Sequence, residues 1–142
     1  MAISARNVFA GTVSEIREGA VNAEVSLSIT GGDVIVATVT LDSLKALGLS
    51  VGKTVTAFVK APSVMVVTGD DSVCYSARNH LKGLVSELKT GAVNSEVVVK
   101  LAGGSEVKAI ITNDAVTDLG LVVGSAASVL FKAGSVILGV SA

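Results

Sequence analysis

Apolar and polar residues alternate along much of the chain. Val21, Ala23, Val25, Leu27 and Ile29 are interleaved with Asn22, Glu24, Ser26, Ser28 and Thr30. A period of two predicts a strand with one face buried. Gly31-Gly32 follows and predicts a hairpin, since both central positions of a tight primed turn need positive φ. Val34 to Val39 is the return strand. Upstream, Val8, Phe9 and Val13 around Gly11 predict a first strand, bent or bulged at the glycine, before Glu18-Gly19 turns the chain. Downstream, Thr40 to Gly48 predicts a short helix, N-capped by Thr40 or Asp42 and stopped at Gly48. Gly52-Lys53 leads into a strand over Thr54 to Lys60, Pro62 breaks it, and a short strand runs Val64 to Val67. Phe58 and Val59 occupy opposite faces, which implies cover from a second lobe or another chain.

The same series is written twice. Shifted by 72 residues, Ser4 to Thr68 lies on Ser76 to Val140 without a gap. Ser4-Ala5-Arg6-Asn7 meets Ser76-Ala77-Arg78-Asn79, and Gly19-Ala20-Val21-Asn22 meets Gly91-Ala92-Val93-Asn94. Glu24-Val25 meets Glu96-Val97, and Lys60-Ala61 with Ser63-Val64 meets Lys132-Ala133 with Ser135-Val136. This is a tandem duplication, and it decides the architecture. Five strands with a short helix between the third and fourth is the order of an OB-like barrel. The expected fold is all-β, with two OB-like five-stranded barrels per chain and one short helix in each. Repeat 1 spans 1–68, a linker 69–75, and repeat 2 76–142. Units this small gain stability by packing on each other or by oligomerising. Gly69-Asp70-Asp71-Ser72 is too short a polar turn for lobes that move independently.

Composition changes this picture little. Half of the residues are apolar, but no apolar run approaches the roughly 18 residues that cross a bilayer. Met1 to Ala10 lacks a basic segment followed by an apolar run, and the single Cys74 has no internal disulfide partner. Both favour a reducing cytoplasm. Cys74 itself reads as a small, partly buried linker side chain. A net charge of −1, three Phe and one Tyr do not make the basic, aromatic groove of a nucleic-acid binder.

Catalytic chemistry is scarce. The one histidine, His80, has Val8 as its counterpart, so no duplicated triad exists. No Cys/His cluster offers a zinc site. The doubled polar residues point elsewhere. Each repeat offers Ser4 and Arg6 (Ser76 and Arg78) at its start, Lys60 (Lys132) near its end, and Thr40 (Thr112) where helix-start N–H groups favour an anion. The only nearby carboxylates in sequence are Asp42 and Asp114. Two cations, hydroxyls and oriented N–H donors are equipment for a small dianion. The alternative is solvated basic residues at strand ends.

Ser-Ala-Arg-Asn, then Gly-Ala-Val-Asn-x-Glu-Val, then Lys-Ala-x-Ser-Val, twice and in order, resembles the molbindin family of molybdate-binding (Mop) domains in its tandem, di-Mop form. The resemblance implies a cytoplasmic, non-enzymatic protein of molybdenum storage or homeostasis that takes molybdate or tungstate as its ligand. No bare metal cation is implied. It also implies a homo-oligomer, most simply a trimer, with no nucleic-acid or membrane partner. By motif, one half-site would be Ser4, Arg6 and the Asn7 main chain. The other would be Thr40, Ser43, Lys60 and Ala61, with Ser63 alongside. In the second copy Ser76, Arg78 and Asn79 go with Thr112, Lys132, Ala133 and Ser135. There Ala115 replaces Ser43, so the two classes of site should differ in affinity. The segments Gly19, Ala20, Val21, Asn22 and Gly91, Ala92, Val93, Asn94 are candidates for further anion sites near a symmetry axis. The alternative readings are a ligand-sensing module acting with a partner and an OB-type nucleic-acid binder.

Overall fold

The computed structural model describes residues 2–69 and 72–141, so the paired acids Asp70 and Asp71 lie outside the described residues. The first copy forms β1 (Asn7–Glu18), β2 (Asn22–Ile29), β3 (Val34–Thr40), α1 (Leu41–Ala46), β4 (Thr54–Val59) and β5 (Met65–Val67). The second forms β6 (Asn79–Thr90), β7 (Asn94–Leu101), β8 (Glu106–Thr112), α2 (Asn113–Asp118), β9 (Ala126–Phe131) and β10 (Ile137–Gly139). A 3-10 turn precedes each last strand, at Ala61–Ser63 and Ala133–Ser135. The expected all-β architecture of two five-stranded OB-like units, each with one short helix, holds.

The membership of the sheets is less local than the repeat suggests. Strand orders are β10-β4-β1-β2-β3 and β5-β9-β6-β7-β8. Each sheet therefore takes its fifth strand from the other copy. In β10, Ile137 pairs with Phe58 and Leu138 with Ala57; in β5, Met65 pairs with Leu130 and Val66 with Val129. The exchange pairs β4 and β9 on what would otherwise be open sheet edges. It also explains the two-faced apolar strand. Phe58 is buried because β10 lies against it, and a Cβ on Gly139 would stand 3.0 Å from the Phe58 ring. Buried residues of both copies, among them Val25, Leu27, Ile35, Val97, Val99 and Phe131, belong to one hydrophobic cluster.

Two buried asparagines fasten the lobes. The Asn7 side chain donates to the Lys108 carbonyl (2.8 Å) and accepts from the Lys108 N–H (2.7 Å). Asn79 repeats the arrangement on Val36, with both bonds at 2.8 Å. Each carboxamide thus completes the outer hydrogen-bonding edge of the opposite lobe's β8 or β3, as a strand would.

Four local expectations change. The bulge in the first strand falls between Val13 and Glu15, with its counterpart between Val85 and Glu87, rather than at Gly11. Gly11 is required by close approach instead, since a Cβ there would stand 2.7 Å from the Ser28 carbonyl. The Gly31-Gly32 turn is not a two-residue primed turn. Gly32 N–H bonds the Ile29 carbonyl and Ile29 N–H the Asp33 carbonyl, which makes a three-residue loop with a bulge, repeated at Leu101–Ser105. Both glycines carry the expected positive φ in the first copy (90° and 93°), whereas in the second only Gly104 does (96°). The first glycine serves the other lobe: the two turns touch, and a Cβ on Gly31 would overlap the Gly103 carbonyl. Finally, Val21 precedes β2 and is exposed rather than part of its buried face, and Cys74 is exposed rather than partly buried.

Candidate functional site

Part of the duplicated polar set gathers where the lobes meet. A cavity of about 380 Å³ is lined by Ser4, Lys60 and Ser63 of the first copy and by Gly134 and Ser135 of the second, over an apolar floor that includes Phe58 and Ile137. The strand exchange creates this neighbourhood. The β1–β4 ladder ends at Asn7 and Val59, so the segments entering β1 and leaving β4 share one edge. β10, pairing with β4, brings the Ala133–Ser135 turn to the same edge. Ser4 and Lys60 therefore line one cavity within this chain. Lys60 is exposed and has no ion-pair partner among the described residues. The site offers one uncompensated ammonium and three hydroxyls around a partly apolar space.

Ala61 and Ala133 are buried, main chain included, and neither lines that cavity. Ala115 lines a separate groove of about 460 Å³ with Pro62 and Tyr75, which sets the first copy's Lys60–Ser63 segment beside the second copy's helix. The helix starts are less free than expected. The Thr40 hydroxyl accepts from Ser43 N–H and donates to the Ser43 hydroxyl at 3.0 Å, while Leu41 N–H is bonded to the Val21 carbonyl. Thr112 caps Ala115 N–H in the same way, and Asn113 N–H bonds the Val93 carbonyl. What remains there for a ligand is chiefly the Ser43 hydroxyl, which Ala115 lacks.

The Gly19–Asn22 and Gly91–Asn94 segments are the β-hairpin turns that hold those helix starts. Gly19 N–H bonds the Asn22 carbonyl, Gly91 N–H the Asn94 carbonyl, and Asn22 and Asn94 pair across the sheet with Thr40 and Thr112. Neither segment lines the cavity that holds Lys60.

Both arginines are already engaged. Arg78 Nη1 lies 2.8 and 2.6 Å from the two carboxylate oxygens of Glu24, and Arg6 Nη2 lies 3.3 Å from Glu96. Asp42 and Asp114 are not the carboxylates that matter here; the partners come from the second strand of the opposite copy. Sequence reading passed over Glu24 and Glu96 as site residues. Their signal was present, since both are polar-face carboxylates kept in both copies. His80 stacks edge-on against Tyr75 with ring centroids 5.5 Å apart, the two rings flanking the 76–79 stretch in sequence. Among the described residues, no group of three or more His, Cys, Asp or Glu could hold a metal ion.

Fold and duplication define a class: two interlocked OB-like barrels with matching polar motifs at their junction. A model of the TOBE domain matches residues 3–66 and 75–138, and the chain belongs to the TOBE-domain family, in the tandem Mop arrangement that its motifs resemble. The chain is 42% identical over 140 residues to the molybdenum transport protein ModE of Herbaspirillum seropedicae, covering 99% of this chain and 52% of that protein. It is 52% identical over 66 residues to a probable molybdenum-pterin-binding protein of Haemophilus influenzae, covering 46% of this chain and 96% of that one. A solved structure of the cytoplasmic molybdate-binding protein ModG with molybdate bound superposes with a TM-score of 0.95 at 52% identity, covering 99% of this chain and 100% of that one. The chain spans about half the length of the longer curated relatives that it matches.

Proposed function

We propose that this chain binds molybdate or tungstate reversibly at the junctions between its lobes, in the cytoplasm, and serves molybdenum storage or homeostasis without catalysing a reaction. The observation that carries the reading is Lys60, a cation with no ion-pair partner among the described residues, set among the Ser4, Ser63 and Ser135 hydroxyls that both copies contribute. An ammonium with converging hydroxyls suits a tetrahedral dianion: the charge supplies affinity and the hydroxyls fix orientation. Each charged hydrogen bond contributes roughly 1.5–3 kcal/mol. The full-length likeness to ModG supports the same ligand class. Ser4, Arg6, Lys60, Ala61 and Ser63, with Ser135 of the other copy and with Thr112 and Ala115, form the first class of site in this reading. Ser76, Arg78, Lys132 and Ala133 with Thr40 and Ser43 form the second.

A homo-oligomer, most simply a trimer, completes the reading. Val21 and Val93 are 72% and 71% exposed, and Val51 and Val123 are 65% and 64% exposed. Large apolar residues left open at equivalent places in both copies suit a surface that assembly covers. Assembly would also bring the Gly19–Asn22 and Gly91–Asn94 turns of neighbouring chains within reach of one another. Calorimetry and native mass spectrometry test the proposal. Several molybdate ions should bind per oligomer, tungstate should compete, and sulfate, with its shorter bonds, should compete poorly. No molybdate binding at micromolar concentration would overturn the reading. The likeness to half of ModE also supports a second reading, a ligand-sensing unit within or beside a larger regulator. It differs in requiring a partner whose activity changes with molybdate.

A further inference from the structure

Resting on that proposed function, the geometry points to Glu24 and Glu96 as built-in counter-anions that compete with the oxyanion for Arg78 and Arg6 and so set its affinity. The arrangement occurs twice, each time across the lobe junction. Arg78 gives one guanidinium nitrogen to both oxygens of Glu24, at 2.8 and 2.6 Å, and Arg6 gives one to Glu96 at 3.3 Å. A guanidinium has five N–H donors, so a free edge remains for a ligand. A dianion on that edge, however, meets the carboxylate across a single guanidinium, where like charges repel; with the Arg6 and Arg78 side chains 57% and 50% exposed, the effective dielectric is that of a protein surface. The repulsion scales with ligand charge, whereas loss of a mere positioning contact does not.

A displaced carboxylate has another partner available. Arg17 stands directly across the strand pair from Glu24 and lines the same cleft of about 340 Å³. Lys89 stands across from Glu96 in the same register position. Arg17 and Lys89 already lie 3.4 Å from Glu15 and Glu87, so binding can transfer each glutamate from the arginine of one lobe to a cation of its own sheet that it then shares with a second carboxylate. The two copies are not equal. The Arg78–Glu24 pair is the shorter, while the Glu96 side chain is 10% exposed against 28% for Glu24.

The test measures binding of molybdate and of perrhenate, a tetrahedral monoanion, to the full chain and to Glu24→Gln and Glu96→Gln, which keep side-chain shape. Each variant should bind molybdate about tenfold more tightly and perrhenate about threefold more tightly, because the relieved repulsion is proportional to ligand charge. Unchanged or weaker molybdate binding in the variants, or equal gains for both anions, would overturn the inference while leaving the proposed function standing. Absence of molybdate binding by the unmodified chain would overturn both. The two glutamates lie in different lobes, so one variant still decides the question if the other fails to fold.

Discussion

Replacing Asn79 with Ala removes one of the two fastenings between the lobes, and its cost can be worked from the structure. Asn79 is 1% exposed, and its carboxamide makes two 2.8 Å bonds to the N–H and carbonyl of Val36. Removing the carboxamide leaves two main-chain groups buried without a partner, at about 1.5 kcal/mol each. Val36 is itself buried, so water does not readily replace the lost partners. The sum is about 3 kcal/mol. For a chain of this size, a kcal/mol corresponds to roughly 2–4 °C in melting temperature, so Asn79→Ala should lower Tm by about 6–12 °C in a thermal melt. Asn79→Asp is the informative control. It keeps an acceptor for the Val36 N–H but sets a carboxylate oxygen against the Val36 carbonyl, so it should cost at least as much. A fall of less than about 2 °C for Asn79→Ala would refute the claim that this carboxamide ties the lobes together.

Other expectations follow from single contacts. Gly31→Ala should destabilise far more than Gly32→Ala, since the first Cβ would meet the Gly103 carbonyl whereas the second meets open space and carries only the left-handed backbone strain of about 1–2 kcal/mol; denaturant midpoints compare the two. Lys60→Ala should weaken molybdate binding at the cavity that Lys60 lines about tenfold or more in calorimetry, without a comparable change in Tm, because the side chain is exposed. Ala115→Ser should strengthen the weaker class of site several-fold by restoring the hydroxyl that Ser43 offers in the other copy. Unchanged stepwise affinities would remove Ser43 from the site.

Much of the fold was legible because it depends on local pattern. The alternation from Ala23 to Ile29 fixed which face of β2 is buried, and Thr40 was one of two candidate caps for a helix whose start it does cap. The exchange of β5 and β10 was not legible. A three-residue apolar strand reads the same whichever sheet edge it joins, and only the path of the intervening turn decides the partner. The glycine pairs misled for a related reason, since the turn explained both residues until the other lobe's turn came within contact. The site was legible as a set of residue types but not as a grouping. Arg6 and Arg78 had carboxylate partners that no sequence window contains, because Glu96 and Glu24 approach from the opposite copy. The doubled Ser-Ala-Arg-Asn stretch thus has two jobs side by side. Its asparagine fastens the lobes, and its serine opens onto the candidate cavity in the first copy.

The central claim is that a tetrahedral oxyanion sits where the two copies meet. Crystals of the full chain grown with molybdate, measured on both sides of the molybdenum absorption edge, test it most directly. The expected result is an anomalous peak within hydrogen-bonding distance of the Lys60 ammonium and of hydroxyls from Ser4, Ser63 or Ser135. Peaks confined to places away from both lobe junctions, or no peak in crystals at saturating molybdate, would contradict the account.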